Sequence, residues 1–138
     1  MKIYVAGKYP PTAEYKRVKK LLVEAGHEIT FDWSTYGWKP EAPQSHNYMA
    51  QRMLEAVTEA EALVLVVPNT SGGTGCFIEF GYALAQGKPI SVYSPKTTKG
   101  FVAAERKPAR SSSFWYADGV TMTFSPDEIK DWLNEQSA

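Results

Sequence analysis

Several things are scarce in this chain. It carries one cysteine, Cys76, which cannot form an internal disulfide, and its two histidines, His27 and His46, stand alone without the spacing of a zinc site. Neither a structural metal nor an organic cofactor is expected. The longest apolar run, Ala62 to Val67, falls far short of the ~18 residues a membrane span requires, and Met1-Lys2 leads directly into a strand pattern without a leader sequence. The chain therefore reads as cytoplasmic, with no membrane partner. Net charge is missing too, because 15 Lys+Arg balance 15 Asp+Glu. A duplex nucleic-acid binder draws its affinity from neutralising phosphates, so that class is excluded and a small-molecule partner is expected.

What is present is core-forming material. With 43% hydrophobic and 13% aromatic residues over 138 positions, the chain suits a single domain spanning 1–138, and disorder is excluded. Ile3 to Ala6 reads as a buried strand ended by Gly7. From Ala13 to Ala25, apolar Tyr15, Val18, Leu21, Leu22 and Ala25 recur at helical spacing before a Gly26 stop. His27 to Trp33 alternates like a second strand. After the loop Ser34 to Gln44, Ser45 is placed to cap a helix running to about Glu61, and Ala62 to Pro68 is a continuous apolar strand of the kind buried in a parallel sheet. A glycine-rich turn, a helix from Cys76 to Gln86 and a strand from Pro89 to Tyr93 follow. Beyond a polar loop, Ser94 to Ser113, come a strand around Val120 to Phe124 and a last helix. That helix opens with an N-cap Ser125, Pro126 at its first position and a capping-box Glu128, and ends near Asn134.

Strands alternating with helices require right-handed crossovers onto a mostly parallel sheet. The expected fold is an α/β three-layer sandwich, flavodoxin-like, with five strands in the order 2-1-3-4-5. Its topological switch point lies between the first and third strands, whose carboxyl ends carry Gly7 to Thr12 and Asn69 to Gly75.

The segment Gly72-Gly73-Thr74-Gly75-Cys76-Phe77-Ile78-Glu79-Phe80-Gly81-Tyr82-Ala83 is the most informative. A glycine-rich turn at a helix start presents backbone N–H groups to an anion or lets the backbone approach a sugar. It lacks the ending of a P-loop and the third glycine of a dinucleotide fingerprint. Glu79 is an ionisable group among Cys76, Phe77, Ile78 and Phe80, where the helix dipole would keep it ionised and apolar neighbours would keep it poorly solvated. Glu79, Tyr82 and Gln86 equally form one helical stripe, which on composition alone reads as a solvated face. Asp32 and Trp33 close the second strand beside the same crevice. They offer an acid and a platform for a base, or else a turn cap and core packing. Ser45-His46 lacks a third catalytic group, and Cys76 reads as an inert buried thiol. Lys96, Lys99, Arg106 and Lys107 make a modest basic loop.

The pieces Ile3-Tyr4-Val5-Ala6-Gly7, Gly26-His27-Glu28-Ile29-Thr30-Phe31-Asp32-Trp33, Glu61-Ala62-Leu63-Val64 and Gly73-Thr74 with Glu79-Phe80-Gly81-Tyr82-Ala83-Leu84-Ala85-Gln86-Gly87-Lys88-Pro89 resemble the nucleoside 2-deoxyribosyltransferase superfamily, which includes 2′-deoxynucleoside 5′-phosphate N-hydrolases. Phe114-Trp115-Tyr116-Ala117-Asp118-Gly119-Val120 is similar to its late segment. The resemblance implies cleavage of the N-glycosidic bond of 2′-deoxyribonucleosides or their 5′-monophosphates. Glu79 would be the nucleophile, Tyr4 its hydrogen-bonding partner, and a second base or water the acceptor of the sugar. It further implies Gly7, Lys8, Asp32, Trp33, Gly72, Gly73, Thr74 and Asp118 as substrate-binding residues. The implied assembly is a homodimer or larger homo-oligomer, with Phe114-Trp115-Tyr116 as interface material and Ser111 to Ser113 reaching a neighbouring site. The chain departs from the pattern at Met53 and Gly73, where the transferases have aspartates. In the first loop and near the glycine turn, Lys8, Tyr9, Thr70 and Ser71 replace the serines and arginine of the monophosphate hydrolases. A non-catalytic nucleotide-binding module and an NAD-type glycohydrolase are the competing readings.

Overall fold

The computed structural model describes residues 1–36, 39, 41–68, 72–95 and 112–138. Trp38, Thr70, Ser71, the basic residues between Lys96 and Lys107, and Ser111 lie outside them. Among the described residues, five strands are β1 (Lys2–Ala6), β2 (Glu28–Ile29), β3 (Ala62–Val66), β4 (Ile90–Tyr93) and β5 (Val120–Thr123), and four helices are α1 (Ala13–Glu24), α2 (Pro43–Glu59), α3 (Thr74–Ala85) and α4 (Pro126–Ser137). The sheet is parallel throughout with order β2-β1-β3-β4-β5, as the alternating pattern implied. Register sets Tyr4 opposite Leu63 and Leu63 opposite Ile90. The central strands are buried along their length because helices cover both faces: α1 meets α4 on one side and α2 meets α3 on the other. No helix among the described residues is long and apolar enough to cross a membrane.

Local chemistry explains the boundaries. Thr12 caps α1 by accepting from the Tyr15 N–H at 3.1 Å. Ser125 caps the last helix by accepting from the Glu128 N–H, and the Glu128 carboxylate reaches back to the Phe124 N–H, one residue before the cap, in a shifted form of the expected capping box. Lys88, at the α3–β4 turn, donates to the carbonyl oxygens of Thr58 at 2.7 Å and Ala60 at 2.6 Å. A cation thus closes the C-terminus of α2, where carbonyls lack helical partners and the dipole is negative.

Three expectations change. The second strand does not run from His27 to Trp33: it ends at Ile29, with a last backbone bond from the Thr30 N–H to the Ile3 carbonyl at 3.0 Å, while the Thr30 hydroxyl donates to the Ala56 carbonyl and Asp32 caps a 3₁₀ turn at Trp33–Thr35. The alternation of Ile29, Phe31 and Trp33 marks an extended segment on the core, and an edge strand needs no further pairing to bury it. Nor does Ser45 cap α2. The helix starts earlier, with Pro43 in its first turn, and the Ser45 hydroxyl accepts from the Lys39 N–H. The last helix also runs beyond Asn134, to Ser137.

Candidate active site

The carboxyl ends of β1 and β3 and the N-terminus of α3 frame a cleft of about 300 Å³ lined by Gly7, Tyr9, Trp33, Met53, Gly73, Thr74, Gly75, Cys76 and Glu79. A cleft at this position is what the strand order dictates, since crossovers leave β1 and β3 in opposite directions and open a crevice. Two glycines shape it. Gly73 has φ +81°, and a Cβ there would stand 2.8 Å from Pro68 Cγ and 3.2 Å from Cys76 Sγ, so only glycine starts α3 this close to β3. At Gly7 a Cβ would lie 3.0 Å from the Tyr15 ring. Gly72 packs against the Lys8 side chain, with Lys8 Cε 3.3 Å from where a Cβ would stand.

Glu79 projects from the second turn of α3 and is 5% exposed; among the described residues it is the charged side chain held in the core. Tyr4, fully buried on β1, donates its phenolic O–H to Glu79 Oε2. Burial pushes the Glu79 carboxyl from an ordinary 4.5 up to about 7, against the lowering effect of the Tyr4 hydrogen bond. The helix dipole expected to keep it ionised is outweighed, because that effect fades beyond the first turn. Burial and the adjacent carboxylate raise Tyr4 well above the usual phenol value, so it stays a donor at neutral pH. The pair is a partly protonated carboxylate with one oxygen oriented by a phenol, beside an open cleft.

Trp33 forms a wall. Its indole N–H donates to the Val5 carbonyl at 2.9 Å, and its ring lies 4.4 Å from that of Tyr15. Asp32 is absent from the cleft lining: its carboxylate accepts from Lys19 Nζ at 2.7 Å and from the Ser34 N–H at 3.1 Å. Burial opposes its ionisation, but the Lys19 and Ser34 hydrogen bonds prevail and hold the carboxyl below the usual range. Asp32 is therefore a turn cap that fixes the residue next to it. Asp118 is not brought to this group within one chain. It occupies the turn before β5, at the amino end of the sheet, where the neighbouring Gly119 carbonyl accepts from Ile90 N–H. The cleft thus unites Glu79, Tyr4, Gly7, Trp33, Gly73 and Thr74, with Lys8 and Gly72 adjacent. It also enlists Tyr9, Met53, Gly75 and Cys76. Tyr9, on a loop, carried no periodic signal for this, whereas Met53 lies where the resemblance had already marked a departure from the transferases.

A buried carboxylate paired with a phenol thus lies at the switch point of a five-stranded parallel sheet, where α/β proteins of this class place a ligand crevice above the strand ends. The family model for nucleoside 2-deoxyribosyltransferases matches residues 3–111, and the chain belongs to that family. Among solved structures, the 2-deoxyribosyltransferase of Bacillus psychrosaccharolyticus shares 17% identity with a TM-score of 0.68, covering 95% of this chain and 91% of that one. The Clostridium botulinum CMP N-glycosidase BcmB shares 18% identity with a TM-score of 0.59, covering 97% and 98%. A search of curated protein sequences returns no match.

Proposed function

We propose that the protein cleaves the N-glycosidic bond of 2′-deoxyribonucleosides or their 5′-monophosphates through a deoxyribosyl ester on Glu79. The observation that carries this reading is the buried Glu79 carboxylate at the cleft floor, oriented by Tyr4. The free oxygen of the ionised carboxylate attacks the anomeric carbon as the C–N bond breaks, and the bonding pair leaves with the base. The Tyr4 phenol holds the other oxygen, which aims the nucleophile and later stabilises it as a leaving group. In the second step water or another base attacks the anomeric carbon from the vacated side. The ester C–O bond breaks, Glu79 is regenerated, and the proton given up by the attacking group balances the one the departed base takes up, so configuration is retained overall.

Trp33 and Tyr9 supply aromatic surface for the base, and the amides at the start of α3, beside Gly73 and Thr74, face the sugar end. Lys8, packed on Gly72, is placed to favour an anionic substituent there. Asp32 acts by positioning Trp33. Met53 in the cleft, in place of an acid, favours a second reading in which the cleft binds a nucleotide without turning it over. Deoxynucleosides and their monophosphates, each with and without a free acceptor base, separate the outcomes by chromatography of released base. Release without acceptor supports hydrolysis and release only with acceptor supports transfer. Silence across the panel, with thermal shifts on ligand addition, sinks the catalytic reading.

A further inference from the structure

The base end of the cleft is lined by Trp33, Tyr9 and Met53. The two rings have centroids 6.5 Å apart and planes tilted by 57°, so they form a corner of electron-rich faces, with a soft thioether beside it that adapts to a flat ligand. Such a corner attracts a cation through the ring quadrupoles, an indole most strongly. Below it stands an acid without a counter-charge. The groups set around Glu79 are Tyr4 from β1, Tyr15 from α1, Met53 from α2 and Cys76 on its own helix, none of them a cation. β3 brings no titratable side chain, and Tyr93 of β4 is turned onto Glu14. Lys8 packs on Gly72, outside the cleft lining. Among the described residues, then, no positive neighbour offsets the burial that raises the Glu79 carboxyl. The departing base meets a matching shortage. Among the described residues lining the cleft Glu79 carries the one carboxyl, and it is committed as the nucleophile. An ordinary purine or pyrimidine leaves as an anion unless a proton reaches it, and a general acid contributes ~10²- to 10⁴-fold to such a step. A base alkylated on a ring nitrogen is already a cation and leaves as a neutral molecule.

We infer that the cleft selects 2′-deoxyribonucleosides whose base carries a fixed positive charge, an N-alkylated purine or pyrimidine held at the Trp33–Tyr9 corner above the Glu79 carboxylate, an assignment that rests on the Glu79 mechanism proposed above. The free carboxylate oxygen bonds to the anomeric carbon as the C–N bond breaks. The bonding pair passes into the cationic ring, which departs neutral with no proton transferred. Water then attacks the same carbon, the ester C–O bond breaks, Glu79 is regenerated and one proton goes to solvent. The substrate also activates its own nucleophile, because a cation within a few ångströms favours the ionised form of a carboxylate.

Deoxyguanosine and 7-methyl-2′-deoxyguanosine, which differ by one methyl group and one charge, test this on the wild-type chain and on Tyr9→Leu, with spontaneous base loss subtracted. Tyr9 is 53% exposed on a loop, so the variant should keep the wild-type circular dichroism spectrum. The expected result is a kcat/KM at least ~10²-fold higher for the methylated nucleoside, the factor that a missing general acid leaves uncorrected. Tyr9→Leu should raise KM for the cation ~3- to 30-fold and for the neutral parent less than about twofold, as loss of a cation–π contact does. Cleavage of both nucleosides within about tenfold of each other means that the enzyme protonates its leaving base; that overturns the proposal and leaves the glycosidase reading standing. Equal rises in KM overturn it as well, since a plain stacking surface treats both bases alike. Release of neither base sinks the Glu79 mechanism itself, and the cationic substrate with it.

Discussion

The phenolic O–H of Tyr4 meets the carboxylate of Glu79 inside the core, joining two residues 75 positions apart in the chain. The contact links β1 to α3 across the point where the crossovers diverge. Because both side chains are buried, the fold shifts the pH at which each of them titrates.

Glu79→Gln should retain ligand binding and lose base release by at least ~10³-fold, as removal of a covalent nucleophile does. The same substitution should stabilise the protein at alkaline pH. Folding raises the Glu79 value from 4.5 to about 7, so the folded state holds this proton more tightly than the unfolded chain does. The stability contributed by protonated Glu79 is therefore full below about 4.5 and is lost as pH rises towards 7, a change of up to about 3 kcal/mol. Chemical denaturation at pH 5 and pH 8 should show this loss in the wild type and not in Glu79→Gln; parallel losses would place the carboxylate in solvent.

The nucleophile must be ionised, so kcat/KM should rise with pH along a limb with an apparent value near 7. Tyr4 lowers the Glu79 value through its hydrogen bond, and Tyr4→Phe should shift the limb to higher pH while slowing turnover ~10- to 100-fold. A pH–rate profile of the two proteins decides it, and an unmoved limb removes Tyr4 from the mechanism.

Asp32 should matter through Trp33. Asp32→Ala removes the carboxylate that holds Lys19 and Ser34 and loosens the turn carrying the indole. KM should rise about tenfold with kcat within about threefold, since the substitution relaxes a binding wall and leaves Glu79 alone. The pair with Lys19 is partly exposed, so the accompanying stability loss should be near 1 kcal/mol. A fall in kcat with unchanged KM would assign Asp32 to the chemistry instead.

Lys88 stands apart from the cleft, and Lys88→Met should leave kcat unchanged. It should cost about 1–2 kcal/mol, because the carbonyls of Thr58 and Ala60 at the end of α2 lose a charged donor. Thermal unfolding should show a midpoint several degrees lower; an unchanged midpoint would mean that water replaces the ammonium at no loss.

Strand order was legible in the sequence, because periodicity and glycine punctuation report which faces are covered, whereas Glu79 stood out through the family resemblance and not through its helical spacing. Ala62 to Val66 could only be a central strand, and Ser125-Pro126 with Glu128 could only open a helix. What escaped was decided by competition between local partners. Trp33 continues an alternating pattern, yet Asp32 beside it finds Lys19 across from α1, a contact between two helical turns and an edge that no spacing rule contains. Likewise the run Phe114-Trp115-Tyr116 reads as one aromatic block, but Trp115 turns into the core against Phe80 while its neighbours face outward. Glu79 shared a stripe with Tyr82 and Gln86, and only the close approach of β1 drew it inward while Tyr82 stayed exposed.

The anchoring of Trp33 to the Val5 carbonyl gives the cleft its own optical reporter. An indole fixed on the rigid end of β1 and facing the ligand space has one dominant excited-state environment, and a base stacked nearby should quench its emission. Among the described residues the other tryptophans, Trp115 and Trp132, are buried away from the cleft lining. Occupancy can then be titrated by fluorescence in Glu79→Gln, where nothing is consumed, and Trp33→Phe provides the blank.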